Sequence, residues 1–323
     1  MIAALLPVKA FTLKKFLPFL NGKYSTAPGL AASRKDDPSD PVFLIDRNYP
    51  SYIFNKDCCR KENLNKYYCE DRPSGTVMRT LNRWITGQLL QEYPDLFSFN
   101  KEDGNYIFYN HQLNELLRWK EDWILIEGNK YRSLFDGLCS QVQEDMAVCE
   151  LNGGNDRITA IHLCAPNHWA ASEKIGLSFD RVHGPVPGMH STLQHFPKML
   201  KAIVQKERFI RYAWGISSDD RLNHHPVPPL GKDALQWAGR KLGPGFETFV
   251  RVERQNLIGF ASLDFFLFSI RTFFYPIGSL NKMERIALLN AVQSMTPDSL
   301  EYKGLSGSLD FLINLLADNT PVI

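Results

Sequence analysis

The strongest chemical signal in the chain is a set of charges placed inside segments that otherwise read as core. In ETFVRVERQ, two-residue alternation puts Phe249, Arg251, Glu253 and Gln255 on one face of a strand and Val250, Val252 and Arg254 on the other. One face therefore presents two opposite charges and an amide, a combination that can hold a proton or a polar ligand, or simply form a cross-strand ion pair facing water. Arg211 in RFIRYAWGI and Arg271 in FFLFSIRTFF stand among aromatic residues, where a guanidinium needs an anionic or polar partner. Of the eight histidines, His168, His183, His190 and His195 share one proline-rich connection. His162 alternates with apolar neighbours on a strand-like run, while His224 and His225 stand in NHHPVPP, a loop expected to face solvent. The six cysteines show no CxxC spacing, so no zinc or iron–sulfur motif is written here and reduced thiols are expected. A GxGxxG after a strand and a P-loop are missing too, so the sequence offers no dinucleotide site of its own.

These residues must be positioned by a mixed architecture. Between residues 49 and 131 the spacing predicts mainly helix, in TVMRTLNRWITGQLLQEY and in HQLNELLRW, with DGNYIFY as a short extended piece. EDMAVCEL and RITAIHLCAP then predict a hairpin about the turn NGGND. From His168 to Gln205 helix-compatible WAASEKIG and TLQHFPKMLKAIVQ flank the extended HGPVPG. RFIRYAWGI, ETFVRVERQNLIGF and DFFLFSIRTFFYP read as three strands, and NKMERIALLNAVQSM returns to helix. The order predicts an α+β fold, with an N-terminal extension and linker over 1–40, a mainly helical cap over 41–140, and a sheet domain with a C-terminal helix over 141–323.

Composition narrows the function classes less than the motifs do. With 37 basic and 35 acidic residues scattered along the chain, the net charge of +2 points to neither nucleic acid nor an anionic membrane as partner. The opening MIAALLPVKAFTLKKFLPFL is interrupted by Pro7, Lys9, Lys14 and Lys15 and is too short to span a bilayer. A membrane-touching leader ranks below a loosely ordered extension, which runs through STAPGLAASRKDDPSDP and leaves the folded part to begin near Pro41. The expected compartment is intracellular, the cytoplasm.

Seven segments carry a resemblance: QEDMAVCEL, CAPNHWAASEKIG, VHGPVPG, RYAWGI, RVERQNL, FSIRTFFYP and SMTPDSLEYKG, in that order over residues 143–304. In order and spacing they resemble the haem-dependent oxidative N-demethylase family; the N-terminal third does so only loosely. The resemblance implies a PAS-like fold, a five-stranded antiparallel sheet whose helical connection covers one face and leaves a pocket. It also implies haem b, non-covalent because no CxxCH is present, and oxidation of a small organic substrate by O₂. That substrate is an amine, or a secondary metabolite met in a tailoring step. Electrons would come from a separate reductase.

The same resemblance assigns residues. His183, two residues before PVP, matches the family's ligand position; His190 is its rival, where the family has another polar residue, and His162 ranks third. Arg211 or Arg271 would polarise O₂, and Glu253 would hold an amine and take its proton. Arg251, Arg254 and Gln255 would face the cofactor, with arginines on its propionates. Tyr212, Trp214, Phe266, Phe268 and Phe273 could supply apolar walls, whereas Trp169 and Lys174 are expected to pack and cap. Two readings compete with an oxygenase: a haem sensor without turnover, favoured if His190 also binds iron, and a relative that has lost haem and serves as a binding protein.

Overall fold

A computed structural model describes residues 15–126, 130–189 and 195–317. Its strands, in chain order, are β1 (Ala31–Ser33), β2 (Tyr68–Glu70), β3 (Phe97–Glu102), β4 (Asn105–Asn110), β5 (Glu115–Lys120), β6 (Asp145–Asn152), β7 (Asn155–His162), β8 (Arg208–Ser217), β9 (Phe249–Phe260) and β10 (Phe265–Pro276). Seven make one antiparallel sheet, ordered β1-β8-β9-β10-β6-β7-β2, and β3-β4-β5 form a separate meander. The hairpin β6–β7 and the strands β8, β9 and β10 stand where the sequence places them, side by side at the centre of the sheet. The expected five-stranded sheet is nevertheless one of seven, because β1 and β2 add a strand at each edge.

Two other expectations are corrected. The 49–131 region holds the helices Tyr49–Tyr67 and Gly75–Glu92, but Phe97 to Lys120 is a β meander. HQLNELLRW supplies β5, in which Leu117 and Trp119 are buried while Leu116, Arg118 and Lys120 are exposed, a period of two that decides for strand once a partner sheet exists. Nor is the extension loose from Lys15 onward. Phe19 is fully buried with its ring 5.5 Å from Trp214, and β1 pairs with β8.

The large sheet is buried on both faces, so β9 and β10 are buried along most of their length, polar residues included. On one face Val148, Ile258 and Leu267 join Phe43, Leu81, Phe108 and Phe135 in the largest core cluster, which crosses the expected boundary at 140. On the other, the helix Phe196–Gln205 lays Leu200, Ile203 and Val204 on Leu257 and Phe266. Beyond that helix the same face bounds a cavity. Among the described residues, no helix is long and apolar enough to cross a membrane.

Candidate functional site

The cavity encloses about 500 Å³, within the usual range for cofactor and substrate pockets. Its floor is the sheet face carrying Ala147, Cys149, Arg211, Glu253 and Phe268; its roof is the connection between β7 and β8. His183, the last residue of the helix Phe179–His183, enters from the roof. Its Nδ1 lies 2.8 Å from the Phe179 carbonyl oxygen, which can only accept, so Nδ1 carries the proton and Nε2 keeps its lone pair. Burial, with Arg211 and Lys174 nearby, pushes the His183 pKa down to about 4, against the pull of that carbonyl. The imidazole is therefore neutral at physiological pH. A neutral ring anchored through one nitrogen to a backbone carbonyl is the arrangement of a metal-ligating histidine.

The sheet supplies the polar groups in register. Arg251, Glu253 and Gln255 lie opposite Gly215, Ala213 and Arg211 of β8. Glu253 accepts from Asn167 Nδ2 (3.2 Å) and Gln255 Nε2 (2.9 Å), so both carboxylate oxygens are oriented. Buried Arg251 donates to the Ala165 carbonyl (2.7 Å) and to His224 Nδ1 (2.8 Å). Arginine only donates, so His224 must carry its proton on Nε2, which donates to Asp219 at 2.8 Å. Gly239, at φ +63°, permits this approach: a Cβ there would lie 2.5 Å from His224 Nε2. His168 holds a left-handed φ of +62° and stacks on the His224 ring at 5.5 Å. Burial and the charges of Arg240, Arg251 and Lys303 push its pKa down to about 2, so it too is neutral.

Cations outnumber carboxylates along this lining. The side chains of Arg211, Arg240 and Lys303 make no hydrogen bond or ion pair with any described residue, and the Nε atoms of Arg211 and Arg240 are buried without a partner. Burial lowers the pKa of Arg211 against the opposing pull of Glu253, and brings Lys303 down to about 8. Half-buried cations without a partner suit an anion.

Of the residues singled out from sequence, the structure brings His183, Arg211, Arg251, Glu253 and Gln255 together here. Trp169 and Lys174, expected to pack and cap, also line the cavity. Arg254 and Arg271 do not. They pair across β9–β10 on the opposite face, where Arg254 donates to Asp40 (2.6 Å) and Arg271 to Asp46 (3.0 Å), Arg271 also lying 3.9 Å over the Tyr52 ring. A carboxylate is thus the partner each guanidinium needs, and Arg271 is not placed to polarise O₂ in the cavity. Phe273 stacks on Arg271 and leaves the wall to Tyr212, Trp214, Phe266 and Phe268.

His162 also lies off the cavity, with Nε2 3.3 Å from Asp136 and Nδ1 4.0 Å from Cys164 Sγ. Burial alone would lower its pKa, yet Cys164 and Asp136 hold it up at about 9. Asp145, His162 and Cys164 bring a donor atom each within 4.8 Å, a grouping that could hold a metal ion. Lys56 Nζ stands 3.9 Å from Asp145, whose two oxygens already accept from the N–H groups of Cys164 and Ala165, so an ammonium supplies the positive charge. His190 lies outside the described residues, and His195 is exposed at the start of the Phe196–Gln205 helix. His224 and His225, expected in solvent, are 1% and 4% exposed, because their loop pairs with the segment around Asn167. Sequence reasoning gave no role to Asn167, His168, Asp219, His224, Arg240 or Lys303. Lys303 did stand in the matched segment SMTPDSLEYKG, but a lone lysine after a helix carries no pattern of its own.

Residues 32–312 match the family of haem-dependent oxidative N-demethylase, alpha subunit-like proteins, and the chain belongs to it. No curated protein matches the chain.

Proposed function

We propose that this chain holds haem b non-covalently in the cavity, in a PAS-like arrangement of its central strands and helical connection, with His183 as the axial ligand. The observation that carries this reading is the neutral His183 ring, its Nδ1 tied to Phe179 and its Nε2 lone pair left available at the cavity. The rest of the lining suits the group, since Phe266, Phe268 and Val182 are apolar surfaces for a porphyrin. When bound, haem would supply iron chemistry with O₂, with electrons delivered by a separate reductase.

The chain's own residues would place a small nitrogen-containing substrate. Glu253, held by two amides, would accept a hydrogen bond from the substrate's N–H and take up its proton. Arg211, with no partner of its own, would bring positive charge to developing negative charge. The apolar roof would exclude water around both.

Titrating the purified chain with haemin and following the Soret band tests the reading. One equivalent should bind, and His183→Ala should weaken binding by about a hundredfold, partly restored by free imidazole. An unchanged titration in His183→Ala would remove the assignment. With a reductant and O₂, aldehyde release from a panel of secondary and tertiary amines would then identify the substrate.

A further inference from the structure

We infer that the part of the cavity lined by Lys303, Arg240 and His168 is an anion subsite, and that it selects substrates bearing a carboxylate as well as the amine. The amine's place rests on the function proposed above; the anion subsite rests on the arrangement of charges.

His183 and His168 have different cation neighbours, although Arg211 also reaches Lys303. His183 feels Arg211 and Lys174, whereas His168 feels Arg240, Arg251 and Lys303. Glu253 lies between, interacting with both Arg211 and Lys303. The Lys303 stem runs along the floor, where a Cβ on Gly215 would lie 3.9 Å from its Cδ. Arg240 packs on the next residue, Gly304, whose φ of +69° and missing side chain are both needed: a Cβ would lie 2.6 Å from Arg240 Cδ. The backbone is thus shaped to seat two cations close together. No carboxylate bridges them among the described residues, although like charges in a poorly solvated site repel.

His168 sharpens the point. A non-glycine residue at φ +62° is strained, and such strain persists where the surroundings enforce it. Here it delivers a neutral imidazole, which accepts or donates a hydrogen bond without adding charge, next to the two cations. A lysine, an arginine and a neutral donor lining one cavity suit a carboxylate. With Glu253 ready for an ammonium, the two ends would read an N-alkyl amino acid or a similar zwitterion, while a simple amine would meet unanswered positive charge.

The rival explanation is that Lys303 and Arg240 hold haem propionates. Calorimetry on the full haem-loaded chain separates the two, using N-methylglycine, N-methylphenylalanine and 4-(methylamino)butyrate, each against its own methyl ester. At least one acid should bind about tenfold or more tightly than its ester, and Lys303→Met should reduce that preference to within about twofold while one equivalent of haem still binds. Esters matching their acids, or no acid binding at millimolar concentration, would overturn the subsite. So would a Lys303→Met variant that loses haem yet keeps the acid preference in its loaded fraction, since the cations would then serve the propionates. If the wild-type chain takes up no haem, the proposed function fails separately, and the acid-to-ester ratio measured on the haem-free chain still decides the subsite.

Discussion

His183 carries its proton on the nitrogen that faces a carbonyl, and under the proposed ligation this would set a pH window for cofactor binding. Iron and a proton would compete for Nε2. An ordinary histidine, with a pKa near 6.5, would be largely protonated at pH 5.5, whereas burial brings His183 down to about 4, so its lone pair stays available through that range. The Soret band of the loaded chain should therefore persist from pH 7 down to about 4, since bound iron lowers the midpoint of protonation below that of the free ring; loss centred near 6.5 would show that the ring is not held as described. His183 was legible because its motif position singled it out, and Arg211, Arg251, Glu253 and Gln255 because alternation put them on a common register. Arg254 and Arg271 misled for a physical reason. With both sheet faces buried, alternation says which residues share a face, but not which face meets a cavity and which meets Asp40 and Asp46.

At the level of elements, that opposite face fastens the segment entering the fold. Arg208, Arg254 and Arg271 are fully buried and reach across to residues 40–46, with Arg208 donating to the Asp40 and Arg34 carbonyls and Arg271 to Asp46 and the Leu44 carbonyl. Replacing Arg271 by Met keeps the stem but leaves Asp46 buried without its cation, which should cost about 3 kcal/mol in denaturant unfolding. Since Arg271 faces away from the cavity, haem stoichiometry in the folded fraction should stay at one, and a selective loss of haem without loss of stability would place Arg271 at the site after all. Strands β6 to β10 were legible because long β-branched and aromatic runs decide locally. In the meander β4 was legible as the extended DGNYIFY, but β5 was not, because Leu113, Leu116, Leu117 and Trp119 satisfy helical spacing as well, and only pairing with β4 chooses between the two.

Across the whole molecule, the sheet that forms the site is completed by residues far from it in sequence. Edge strand β1 pairs with β8 and β2 with β7. Tyr49 and Tyr52 donate to the carbonyls of Gln141 and Thr272, and Lys56 donates to those of Cys139 and Glu144. The largest core cluster draws on Phe43, Leu81 and Trp119 as much as on Val148 and Leu267. A chain starting at residue 141 would keep all five central strands and every lining residue named here except Tyr24, Ser25 and Thr26, yet it would expose one whole apolar face and leave Arg208, Arg254 and Arg271 without carboxylates. Burial of both faces is what holds such a sheet together, and uncompensated buried guanidiniums add several kcal/mol against folding. Residues 141–323 alone should therefore show no cooperative thermal transition by circular dichroism and should bind haemin without the defined Soret band of the full chain. A sharp transition with a normal Soret band from that fragment would show that the site folds independently, and that the N-terminal part is a cap laid over a finished domain.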